Sequence, residues 1–118
     1  MAKSDLHGLS VTEIASGVRS SSVSPVAVVE SCLSRIEQLD SKLRAWVYVD
    51  AQGALESART LEAEARAGRL RGPLHGVPVA LKDIFDVAGM VTTSGGAVFA
   101  HHRAERDEHP RHRRRVHD

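Results

Sequence analysis

The chain has 118 residues, 42% hydrophobic and 26% charged, the size and balance of one small soluble domain. No apolar run is long enough to span a bilayer, the start MAKSDLHGLS lacks the regions of a signal peptide, and a single cysteine, Cys32, excludes an internal disulfide or a multi-cysteine metal site, so a reducing, cytoplasmic setting is expected. The net charge of +1 hides a break: residues 1–100 carry ten basic and eleven acidic groups, whereas residues 101–118 carry six arginines, four acids and five of the seven histidines.

The first helix is marked by its cap. Ser10 and Glu13 form an S-x-x-E capping box, and Leu9 before the cap can staple onto Ile14. Ile14, Ala15 and Val18 continue the helix, which is expected to fray into the serine run Ser20, Ser21 and Ser22. A second start follows. Ser24 suits an N-cap and Pro25 the first helical position, where its missing N–H costs nothing. Val28, Val29, Cys32, Leu33, Ile36 and Leu39 recur at helical spacing and predict one apolar face, ending at Asp40-Ser41. Cys32 lies on that face and reads as a small buried hydrophobe.

Residues 44–49, RAWVYV, are β-branched and aromatic and predict a short strand. Asp50 can cap a third helix over residues 51–67, with Leu55, Ala58, Leu61 and Ala65 as its buried stripe. Glu62 and Arg66 are an i,i+4 pair, and Gly68 fits the left-handed position after the helix. Beyond it the chain becomes glycine-rich. Residues 77–81 predict a buried strand, with Pro78 placing its start at an edge. Residues 84–87 and 91–93 are further short extended pieces. Helices alternating with short strands predict an α/β fold. Aromatics are only 3% of the chain, so its core must rest on Val, Leu, Ile and Ala.

Lys82, at the end of the 77–81 strand, carries the chemistry. On residue type and placement alone it reads first as a strand-end lysine that reaches solvent, paired with Asp83 or Asp86; a catalytic lysine is the alternative. The surrounding pattern then bears on the choice. GPLHGVPVALKD over residues 72–83, followed by FDVAG at 85–89 and TTSG at 92–95, resembles the amidase signature family. Upstream, Ser22-Val23-Ser24-Pro25, then RIEQLD at 35–40, then Ala45-Trp46-Val47 are similar to the way these enzymes begin. The resemblance covers about residues 5–107. It implies a fragment of the amidase fold, helices packed on a mixed sheet, and hydrolysis of carbon–nitrogen amide bonds by a Ser–cis-Ser–Lys triad whose lysine falls on Lys82. It implies no cofactor and no metal, and a small-molecule amide as the substrate of the full-length enzyme.

Such a lysine must be neutral to accept a proton through the bridging serine. A free lysine has a pKa near 10.4, so work near neutrality needs roughly 3–5 kcal/mol of desolvation and neighbouring structure. The family's serine motifs are not found after Lys82, so the chain reads as truncated before both serines and is expected to be inactive as it stands. Within the family the amidase subunit of the tRNA-dependent amidotransferase is the alternative to a general amidase, and it usually shows K-D-N where this chain has Lys82-Asp83-Ile84; a non-catalytic fragment with a basic tail is the alternative of a different class.

Residues 108–118 depart from the family pattern and form a basic Arg/His tail, expected to be disordered or the product of a shifted reading frame. Arg111 and Arg113 to Arg115 suit phosphates, and His109, His112 and His117 suit a metal. No interleaved aromatic and no cysteine or carboxylate cluster supports either, so neither nucleic acid nor membrane is expected as a partner. Uncovered strands and apolar faces make self-association the expected behaviour of the isolated chain.

Overall fold

The computed structural model describes residues 3–82. The chain divides into two compact units, Met1–Val79 and Ala80–Asp118, of which the second is described only at residues 80–82.

The first unit is helical. A 3-10 turn over Lys3–Gly8 leads into α1, Val11–Arg19; α2 spans Pro25–Leu43 and α3 spans Ala51–Arg66. Each α-helix begins where a short polar side chain can replace a missing backbone partner. Ser10 Oγ accepts the Glu13 N–H at 3.1 Å, Ser24 Oγ accepts the Ala27 N–H at 3.2 Å, and Asp50 Oδ1 accepts the Gly53 N–H at 3.0 Å. Pro25 occupies the first position of α2, as expected.

The helix ends are better closed than the sequence suggests. After α1 the Ser22 N–H reaches the Gly17 carbonyl at 2.8 Å and the Ser21 N–H reaches that of Val18 at 3.1 Å. This is a Schellman closure with Ser21 in the left-handed region, φ 61°, rather than a frayed end. After α3 the same pair of bonds forms from Arg69 to Glu64 and from Gly68 to Ala65, with Gly68 at φ 76°. α2 does not stop at Asp40-Ser41. It runs on to Leu43, and the Asp40 carboxylate instead accepts the N–H groups of Ala45 and Trp46, at 2.8 and 3.1 Å, as the chain leaves.

α2 is the hub on which the 3-10 turn and α3 pack. Ile14 and Val18 of α1, Val28 of α2 and Ala65 of α3 meet in the core, ringed by Leu6, Leu9, Val23, Cys32 and Val77. Val28 is fully enclosed, a burial worth about 1.5 kcal/mol or more. Cys32 is half-buried, and burial pushes its thiol pKa up, which keeps it protonated and inert. Two polar links tie distant segments together. Buried Ser31 Oγ accepts the His7 N–H and lies 3.0 Å from His7 Nδ1. The Ser24 hydroxyl donates to Glu62 Oε2 at 2.6 Å, while Glu62 Oε1 pairs with Arg66 at 2.5 Å. Glu62 therefore does more than solvate a helix face: it joins α3 to the N-terminus of α2.

Among the described residues there is no strand. Residues 44–49 leave α2 through Arg44 at φ 47° and run with Trp46, Val47 and Tyr48 exposed. Residues 77–81 are also without a ladder, and Val79 and Leu81 are exposed. The physical reason is the same in both places. A strand exists only by pairing, and no paired partner stands beside either segment among the described residues. The expected extended pieces at 84–87 and 91–93, Asp83, and the tail at 108–118 lie outside the described residues. No helix among those described is long and apolar enough to cross a membrane.

Candidate active site

The segment that leads to Lys82 is built from two successive turns. The His75 N–H reaches the Gly72 carbonyl at 3.2 Å, and the Val77 N–H reaches that of Leu74 at 3.1 Å. Gly76 is third in the second turn with φ 84°, a conformation that strongly favours glycine. A second constraint acts on the same residue. A Cβ at Gly76 would lie 3.0 Å from Val18 Cγ1 and 3.3 Å from Pro25 Cβ, so the glycine lets this backbone press on α1 and α2. Val77 follows directly into the rim of the core.

His75 is the polar anchor of this segment. Its side chain is 7% exposed and both ring nitrogens are engaged. The Arg71 N–H approaches Nδ1 at 3.0 Å, so Nδ1 must be an acceptor. The proton then sits on Nε2, which donates to the Leu61 carbonyl of α3 at 2.7 Å. Leu61 is on the last turns of α3, and the residue thus pins the turn to that helix. Arg71 adds an outer clasp through Nε and Nη2 to the two Glu64 carboxylate oxygens, at 2.8 and 2.7 Å. That hydrogen-bonded guanidinium holds the Glu64 carboxyl below its ordinary range, helped by the charges of Arg71 and Arg69, while partial desolvation opposes the shift.

Lys82 lies three residues beyond Val79, in the second unit, and is exposed along with Ala80 and Leu81. It is the one candidate catalytic residue from the sequence. Among the described residues no three His, Cys, Asp or Glu side chains are grouped so as to hold a metal ion. His75 was not singled out by the sequence, because its partner on α3 is a backbone carbonyl fourteen residues away and leaves no local spacing signal.

Residues 27–112 match the Amidase family, and the chain belongs to that family. It is 43% identical over 95 residues to a glutamyl-tRNA(Gln) amidotransferase subunit of Streptomyces coelicolor, covering 80% of this chain and 19% of that protein. It is 35% identical over 115 residues to an amidase of Pseudomonas putida, covering 98% of this chain and 24% of that one. A solved structure from work on a vestigial protein complex that reveals the evolutionary origins of an s-triazine catabolic enzyme aligns with a TM-score of 0.79 and 27% identity, over 84% of this chain and 22% of that chain. The helical unit thus has the fold of the corresponding part of a larger protein. The chain spans about one fifth of the length of the curated relatives it matches.

Proposed function

We propose that this chain is the lysine-bearing part of an amidase that hydrolyses a small-molecule amide. Lys82 is its general base and the two serines of the triad come from the remainder of the complete enzyme. The observation that supports this most is Lys82 at the end of GPLHGVPVALKD, inside the stretch that matches the Amidase family. In the complete site the neutral amine at Nζ takes a proton from the bridging serine, which takes one from the nucleophilic serine as that oxygen bonds to the amide carbon. The proton returns to the departing amine as the carbon–nitrogen bond breaks, and water then releases the acyl group. In this proposal residues 44–49 and 77–81 are strands of a mixed sheet completed by the rest of the fold, which also encloses Lys82.

A second reading, the amidase subunit of a tRNA-dependent amidotransferase, is favoured by the 43% identity to the Streptomyces coelicolor protein. Ile84 in place of the asparagine of K-D-N favours the general amidase. A graft separates these readings. This chain would replace the corresponding segment of the Pseudomonas putida amidase, and hydrolysis of simple aryl and aliphatic amides would be followed. Activity that falls at least about 1,000-fold on Lys82→Ala supports the base assignment. Activity that survives Lys82→Ala overturns it. A graft into the Streptomyces coelicolor protein that restores amidotransfer, with none restored in the amidase, would favour the second reading.

A further inference from the structure

We propose that His75 is a positioning residue for Lys82, holding the stretch that delivers the lysine in one place by a clasp that works in a single tautomer. This rests on the reading of Lys82 as the base. The clasp lies wholly within the first unit. Its parts are the Nδ1 acceptor for the Arg71 N–H, the Nε2–H donor to the Leu61 carbonyl, the close approach of Gly76 to Val18 and Pro25, and Val77 against the core. Lys82 is only five residues beyond Val77 along the chain.

Two features mark this arrangement as more than packing. His75 is one of only two buried polar or charged residues among those described, and both of its ring nitrogens are used. One of its bonds is local, four residues back to Arg71, while the other crosses to α3, fourteen residues away. Only the second fixes the turn against another element. Misplacing a reacting group by about 1 Å can cost about 100-fold in rate, so anchoring a segment that carries a base has a kinetic value beyond its contribution to stability.

Asparagine and glutamine divide the two bonds. The Asn side chain can place its carbonyl oxygen near the Nδ1 position and keep the Arg71 bond. The longer Gln side chain can place its N–H near the Nε2 position and keep the bond to Leu61. In the active graft with the Pseudomonas putida amidase, His75→Asn should lower kcat about 10- to 100-fold with KM changed less than about threefold, and His75→Gln should recover most of that loss. Ile14→Val, which weakens the same core without removing either His75 bond, should lower Tm and leave kcat within about twofold. If His75→Asn lowers kcat no more than Ile14→Val at matched Tm, or if Gln and Asn behave alike, the positioning role is overturned while the Lys82 assignment stands. If Lys82→Ala leaves activity intact, it is the base assignment that fails.

The clasp can also be read in the 118-residue chain, whether or not a graft is active. Tryptic cleavage after Arg71 should be faster in His75→Asn than in wild type and close to wild type in His75→Gln, with cleavage after Arg19 unchanged in both. Equal rates after Arg71 in all three proteins would overturn the clasp, and with it the proposal.

Discussion

Residues 25–29, PVAVV, and residues 45–49, AWVYV, are comparably apolar, yet the first segment is almost wholly buried and the second almost wholly exposed. The difference lies in the backbone. In the first segment the helix satisfies its own peptide groups, so the side chains need only a face to pack on, and α1, α3 and the 74–77 turn provide it. In the second the chain forms neither helix nor ladder, and its peptide groups must be satisfied by another segment or by water. Apolarity shows that a segment seeks cover. It does not say whether the cover is local, and here only the helical segment finds it nearby.

The sharpest test of this contrast strikes the residue that covers the buried segment. Gly76→Ala puts a methyl group against Val18 and beside Pro25 and forces a side chain into the left-handed region. Denaturant unfolding of the 118-residue chain should show a loss of about 2–4 kcal/mol. A loss under about 1 kcal/mol would mean that the turn does not cover the start of α2.

A matched pair of truncations compares the segments directly. Val28→Ala removes fully enclosed methyl groups and should cost roughly 2 kcal/mol. Val47→Ala acts on a side chain that is 68% exposed and should stay within about 0.5 kcal/mol. Similar costs at both sites would show that residues 45–49 are covered in solution, by a second copy of the chain or otherwise.

The smallest effect concerns the outer clasp of the turn. The Glu64 carboxyl is held below its ordinary range, so the Arg71 link contributes above the usual carboxylate titration and is lost as pH falls through the lowered value. Both partners are at the surface and the link adds little to global stability. An NMR titration should place the Glu64 midpoint lower than that of an unpaired Glu and move it up in Arg71→Met. An unchanged midpoint in that variant would remove Arg71 as the cause.

Much of the helical unit could be read before its structure was known, because helix starts are local. Ser10, Ser24 and Asp50 each satisfy an N–H three residues ahead, and the capping preference is visible in the residue itself. Helix ends were harder. Ser21 takes a conformation usually given to glycine, and Asp40 uses its carboxylate to guide the chain out rather than to stop the helix. The second partner of Glu62 lies 38 residues away at Ser24, and the partner of His75 Nε2 is a backbone carbonyl, so neither pairing leaves a trace in local spacing. Of the candidate site, Lys82 was legible from its motif. The anchors before it were legible only as motif letters, whose reasons are a positive φ, a close approach and a fixed tautomer.

The membership of the core also has a consequence for the order of events during synthesis. Every residue of the apolar cluster lies between Leu6 and Val77, and the bond from His75 to Leu61 closes over fourteen residues. By the time Val77 has left the ribosome, all the side chains that the helical unit buries together are present. Short closures such as that from His75 to Leu61 carry little entropic cost, and segments generally assemble as units from the N-terminus while translation continues. The helical unit can therefore be in place as Lys82 emerges, so that the lysine enters solution already tethered to a folded support.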